Sequence, residues 1–282
     1  MKKLLSTVAA IFAIALLLTG CPGSPNDAEK AGGNSGSGSG AGESGGGNKD
    51  TNTVTQKTIK DAPTAIGDIV LKDGKAIAYY DGLTLTDSEK ADAIAVIFYA
   101  GGDNELGSRK LGVGLKQESK LWIYGQGILG YHRSNALSET DGLANQNAIE
   151  VYTDFNETNY PAFYWIDNYD DLIPVSSSDP SGFGQNWYIP AKKELKKLLQ
   201  NRTLVNKALT KISDSADLFK AAQSSSETWW SSTDATPEGS IYDNSDYKVY
   251  TITIHDGETD LHETTTIKQS NNYRMTCAVH TF

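Results

Sequence analysis

The chain of 282 residues carries 35 acidic against 25 basic side chains, a formal net charge of −10. Such an acidic balance is unsuited to nucleic acid or to anionic lipid headgroups, both of which need a basic surface. Two cysteines in all exclude a disulfide-rich scaffold, so a stable fold must rest on buried apolar area.

Met1-Lys2-Lys3 is a short basic start, and the apolar run from Leu4 to Leu18 is too short for a stop-transfer helix but suits a secretory signal. It ends in Leu18-Thr19-Gly20-Cys21, which resembles the lipobox of bacterial lipoproteins. That resemblance implies removal of residues 1–20 and acylation of Cys21. More than one acyl chain there meets the condition for stable anchoring. Spending Cys21 on lipid leaves Cys277 alone, so no intramolecular disulfide is expected. Removing Lys2 and Lys3 without any acid makes the exported chain more acidic still.

From Pro22 to about Gln56 the chain is polar, and nine of the sixteen residues from Gly32 to Gly47 are glycine. With no apolar anchor, residues 21–60 read as a disordered tether that carries the lipid. As a flexible coil of roughly 35 residues it spans about 30–35 Å, enough to hold a domain clear of a bilayer. Residues 61–282 are of single-domain size.

In that domain Asp68 to Ala78 places apolar runs either side of Asp73-Gly74, a hairpin signal. Ala93 to Tyr99 is a near-continuous apolar run, suited to a strand buried on both faces. Leu111–Leu115 and Leu121–Tyr124 are further strand candidates. Helical patterns then run from Asn145 to Tyr152 and from Pro161 to Ile166. Trp187-Tyr188-Ile189 is strand-like, Pro190 stops it, and Leu195, Leu198 and Leu199 recur at helical spacing among four lysines. Leu204 to Ile212 repeats the helical stripe. Strands return at Trp229–Thr233, Tyr247–Ile254, Leu261–Lys268 and Arg274–Phe282. Strands, then two or three packed helices, then strands indicate an α+β domain with a mostly antiparallel sheet.

The order Ala95–Tyr99, Leu111–Lys116, Asp141–Asn145, Trp187-Tyr188-Ile189-Pro190 with Glu194-Leu195, Val205–Leu209, Trp230-Ser231-Ser232-Thr233 and the terminal Cys277–Phe282 resembles a bacterial surface domain. That family is found at the C-terminus of the Legionella collagen-like adhesin and in many spirochaete and Fibrobacter lipoproteins. The resemblance covers roughly residues 65–282. It implies a C-type-lectin-like fold akin to the formylglycine-generating enzyme, used as a surface binding domain. The chain departs from that pattern where the family often has paired arginines, placing Cys277 and His280 there. One thiol cannot form the cysteine pair of the enzyme branch, and the Glu-Pro-Asn, Gln-Pro-Asp and Trp-Asn-Asp triplets of animal lectins are missing.

Gly125-Gln126-Gly127-Ile128-Leu129-Gly130 formally matches G-x-G-x-x-G, yet Tyr131 to Asn135 offers no helical face to hold a pyrophosphate. The stretch reads as a glycine-rich turn. His255 to Glu263 gathers two imidazoles and four carboxylates, at spacings of neither a zinc helix nor a calcium loop, and reads as a solvated turn. Asp167, Asp170 and Asp171 sit beside Trp165 and Tyr169; a glycoside-cleaving carboxylate pair is the alternative to simple helix termination there. Cys277 shares a strand face with Met275 and Val279, away from His280, which suits an inert buried thiol. No catalytic set, metal site or cofactor is therefore expected.

Fourteen tyrosines and five tryptophans remain, flat apolar rings with polar edges that serve sugar and protein recognition. The polar, glycine-bearing segment 234–247 marks Trp229, Trp230, Tyr242 and Tyr247 as the expected ligand surface, with one of the two adjacent tryptophans facing outward. The expectation is a lipid-anchored protein of the bacterial envelope, at the outer membrane or cell surface, that binds an extracellular glycan or protein without catalysis. A structural envelope protein is the first alternative, and a carbohydrate-active or metal-dependent enzyme the second.

Overall fold

The computed structural model describes residues 56–124, 134–175, 178–179, 181–214, 217–219, 227–238, 247–255, 259–268 and 272–282. Thr53–Phe282 forms one compact unit. Cys21 and residues 22–55 of the expected tether lie outside the described residues, as do Gly125–Gly130, Tyr242 and Asp256–Glu258, whereas Gln56–Lys60, the end of the span expected as tether, belongs to the compact unit.

In chain order the elements are β1 (Ile59–Lys60), β2 (Ile69–Leu71), β3 (Ala76–Ile77), α1 (Asp87–Asp92), β4 (Ala93–Tyr99), β5 (Leu111–Lys120), α2 (Gly142–Glu150) and α3 (Pro161–Asp167). A 3₁₀ turn (Tyr169–Leu172) follows, then α4 (Lys192–Gln200), α5 (Arg202–Ile212), β6 (Glu227–Asp234), β7 (Lys248–Ile254), β8 (Leu261–Ile267) and β9 (Arg274–Thr281). The strands form one sheet in the order β1-β3-β2-β4-β5-β9-β6-β7-β8. Pairing is antiparallel except between β6 and β9, where Trp229 lies opposite Met275 in parallel. The mixed α+β class with a mostly antiparallel sheet is thus observed. The Asp73-Gly74 hairpin forms as well, with Ile69 opposite Ile77 and Gly74 at φ +81°, a conformation that costs glycine little.

Alternation along the central strands sorts side chains into two cores, one on each face. Val96, Phe98, Cys277, Val279 and Trp229 join α4 and α5 through Leu195, Leu198, Val205 and Leu209. Ala95, Ile97, Ala278 and Trp230 join α2 and α3 through Ile149, Phe163 and Ile166. The sheet is therefore the middle of three layers. A Cβ on Gly142 would meet Ile189 O and Tyr188 Cδ2 at 2.5 Å, so only glycine lets α2 start this close to the chain at Tyr188.

Four expectations are corrected. Leu121–Tyr124 is not a strand: Leu121 O accepts Ala162 N, Tyr124 N donates to Asn159 O and Trp122 Nε1 donates to Ser231 O, so its polar groups serve α3 and β6 instead of a ladder. The Trp187-Tyr188-Ile189 run makes a single bridge, Tyr188 to Val279, because Asn186 takes a positive φ of 59° just before it and α4 starts just after. Instead of two or three helices, five α-helices stand among the described residues. The helix for which no pattern is read in sequence, α1, begins at a capping box in which Thr86 and Glu89 satisfy each other's backbone N–H. Finally, Trp229, Trp230 and Tyr247 are buried, not exposed. Both sheet faces are covered, so alternation sends Trp229 to one core and Trp230 to the other, and neither reaches solvent.

Trp187 lies in the core as its sequence context suggests, 4 % exposed, with Nε1 bonded to Phe183 O at 2.9 Å. Trp187→Ala is expected to cost about 3–5 kcal/mol, read as a lower midpoint in a denaturant or thermal melt.

Candidate functional site

The face of α3 that turns away from the core builds a groove that combines half-buried aromatic rings with charged side chains. Pro161 presets the first helical turn, and Ala162, Phe163 and Ile166 point inward at helical spacing. Pro161, Tyr164, Trp165 and Asn168 then fall on the opposite face, three and four residues apart, where Asp171 and Leu172 of the 3₁₀ turn extend it. Lys120, at the end of β5, and Glu157 complete the rim of a cavity of about 340 Å³. Tyr164 and Trp165 are half-buried, and Glu157, Asp171 and Leu172 are exposed.

The groove is held from behind. Ala162 N donates to Leu121 O at 3.1 Å, and Trp230 Nε1 donates to Lys120 O at 2.8 Å, so one wall is tied to β5 and β6. Trp165 packs edge-on against Tyr169 with centroids 5.4 Å apart. Tyr169 leans on Trp187 at 4.8 Å, and its hydroxyl accepts Lys116 N at 2.9 Å. Asn168 Nδ2 donates to Tyr164 O at 2.7 Å and locks the last helical turn. Trp165 thus stands on a fixed aromatic row, which limits its side-chain freedom.

Electrostatically the groove is acidic. Glu157 and Asp171 bring two carboxylates, while the Lys120 ammonium is already paired with Glu118 at 2.8 Å. Of the carboxylates singled out in sequence, the structure brings Asp171 alone to this rim.

The other candidates do not assemble. Cys277 is buried and burial pushes its thiol up, away from the thiolate. His255 and His262 stack edge-on at 4.5 Å, but Glu263 is engaged by Lys192 and Lys196. Among the described residues no three His, Cys, Asp or Glu side chains converge as a metal site. Trp229, Trp230 and Tyr247 act as core, Trp230 supporting the groove only through its bond to Lys120. Sequence reasoning takes Tyr160, Tyr164 and Trp165 as aromatics that pack a helix, sets Trp165 and Asp171 in an acid cluster, and passes over Asn168. The usable signal was a Pro-initiated helix whose second face carries Tyr, Trp and Asn.

No protein family, curated protein or solved structure matches the chain.

Two buried titratable groups lie away from the groove with opposite leanings. Burial pushes the Glu194 carboxyl from 4.5 up to about 7, against Ala191 N, Arg109 and Gly142 N. Burial also pushes His280 from 6.5 down to about 4, among Phe183, Trp187 and Phe282, with Nδ1 lacking a hydrogen bond among the described residues. A raised acid loses stability as pH climbs from 4.5 towards 7, whereas a depressed histidine loses it as pH falls from 6.5 towards 4; each amounts to on the order of 3 kcal/mol when fully titrated. The two slopes offset each other in the wild type. Between pH 4.5 and 6.5, His280→Leu is expected to lose stability as pH rises and Glu194→Gln to gain it, measured as the slope of denaturant-derived stability against pH.

Proposed function

We propose that the chain is a lipid-anchored protein of the bacterial envelope whose C-type-lectin-like domain binds an extracellular ligand, without catalysis, in the groove of α3. The observation that carries this reading is the pair Tyr164 and Trp165, half-exposed over a braced concavity of about 340 Å³. Large aromatic side chains are normally spent on the core, as Trp122, Trp187, Trp229 and Trp230 are here. Tyr164 and Trp165 instead line a small, polar-rimmed groove braced from behind, which suits recognition.

The anchor reading rests on the basic start, the apolar run from Leu4 to Leu18 and Cys21 behind small residues. Among the described residues no helix is long and apolar enough to cross a membrane, which is compatible with attachment by lipid. The C-type-lectin-like assignment is supported by the order of motifs and by the α+β arrangement of one mostly antiparallel sheet with helices on both faces. A binding role, in preference to catalysis, is supported by carboxylates that sit on an open rim with no base or nucleophile lining it among the described residues.

Cys21→Ser is expected to move the chain from the detergent to the aqueous phase of a two-phase partition, and equal partitioning with the wild type removes the anchor. For the groove, the full-length chain in a polyoxyethylene detergent is tested on arrays of extracellular proteins and of glycans. Trp165→Ala is expected to weaken the best hit by about tenfold or more while the melting temperature stays close to that of the wild type. Absence of binding on either array favours the structural envelope protein.

A further inference from the structure

We infer that the ligand of the α3 groove is a neutral pyranose, seated with one face of its ring on Trp165 and its hydroxyls on the acidic rim; this rests on the binding role proposed for that groove. Three observations lead to this class. The first is shape and surface. A cavity of about 340 Å³ lies at the small end of ligand sites and has room for about one or two sugar rings. A protein partner needs a contact on the order of 800 Å² per side, far beyond this groove.

The second is chemistry. A pyranose presents a face of C–H groups and an equator of hydroxyls, so it needs an apolar plate beside hydrogen-bond acceptors. Tyr164 and Trp165 line the groove and supply aromatic apolar surface of that kind, and the carboxylates of Glu157 and Asp171 are acceptors able to take two hydroxyl protons each. A purely apolar ligand would leave those carboxylates without compensation for lost water.

The third is charge. Lys120 is already paired with Glu118 at 2.8 Å, and among the described residues no cation pairs with the rim carboxylates of Glu157 and Asp171. Sialic acids, uronic acids and sulfated or phosphorylated sugars would bring a like charge to that rim and are repelled. Neutral hexoses and N-acetylhexosamines are not. Because the plate is braced by Tyr169 and Trp187, little side-chain freedom is lost on binding. A shallow one-ring contact of this kind corresponds to a dissociation constant on the order of 0.1–1 mM.

The structure also supplies the reporter. The chain has five tryptophans, of which Trp122, Trp187, Trp229 and Trp230 are buried and Trp165 is half-exposed. Acrylamide, an uncharged quencher, therefore reads Trp165 selectively. The full-length chain in a polyoxyethylene detergent, chosen because glycoside detergents would compete, is titrated with methyl glycosides of glucose, galactose and mannose, with N-acetylglucosamine, and with sialic and glucuronic acid. At least one neutral sugar is expected to lower acrylamide quenching by about twofold at saturation, the acids to leave it unchanged at about 50 mM, and Asp171→Ala to weaken the effect by about threefold or more with an unaltered melting curve.

No shielding by any neutral sugar, equal shielding by the acids, or shielding that persists in Trp165→Phe overturns the inference. If extracellular proteins bind in a Trp165-dependent manner while no sugar shields the residue, the sugar class falls and the binding role of the groove stands. Sugar binding without shielding of Trp165 overturns both, since the groove is then the wrong site.

Discussion

One buried carboxylate joins the helical layers to each other and to the sheet. Glu194, fully buried, receives Arg109 at 2.7 Å, Ala191 N at 2.8 Å, Gly142 N at 3.1 Å and the Tyr188 hydroxyl at 3.3 Å. Gly142 opens α2 and Ala191 immediately precedes α4, so a single side chain serves the donor ends of two helices on opposite faces of the sheet. Arg109 in turn donates to Thr140 O and brings the approach to β5 into the same joint. A buried charge with one partner would be costly, and four partners are what make it tolerable.

From that joint the segment Tyr188 to Lys192 is laid against the sheet by its backbone. Tyr188 and Val279 exchange both backbone bonds, Ser232 N donates to Pro190 O, and Lys192 N donates to Thr233 Oγ1. Trp187 is thereby set beneath Tyr169, and Tyr169 beneath Trp165, so the position of the groove follows from the position of the joint. A second buried ion pair closes the other side of the domain. Lys268, just past β8, reaches Asp234 at 2.5 Å, where Ser134 N and Thr236 N also bond the carboxylate and Trp122 lies 5.3 Å from the ammonium. Polar groups buried this deeply restrict which arrangement of elements satisfies them, and so favour one packing over others of similar apolar area.

That packing divides the aromatic residues between the two cores and the outer surface. Where the sheet is covered on both faces, side chains are buried whichever way they point, as along all of β4, which is why the adjacent tryptophans of β6 both disappear into cores. Helices of the outer layers keep one face in water, and an aromatic side chain on such a face stays available. The α3 helix is short and opens with proline, so its outward residues end beside the exposed 3₁₀ turn and the end of β5, where a concavity forms. Aromatic surface at this groove is thus a property of the outer layer.

Periodicity and stop signals carried much of the local structure. The apolar run Ala93–Tyr99, the Asp73-Gly74 turn, the leucine spacing of α4 and the stripe of α5 are each decided within a few residues by backbone preference and one apolar face, and they are legible without any fold. The Thr86–Glu89 capping box was equally local and was simply overlooked. What tertiary structure alone decided is which faces meet water. Leu121–Tyr124 has strand composition but gives its hydrogen bonds to α3 and β6; Trp229, Trp230 and Tyr247 have recognition chemistry but lie beneath covering layers; Trp165 and Asp171 stand among acids that looked like a helix terminus yet border a groove with Lys120, some forty-five residues earlier in the chain. Burial depends on contacts between segments far apart in sequence, and no local pattern records them.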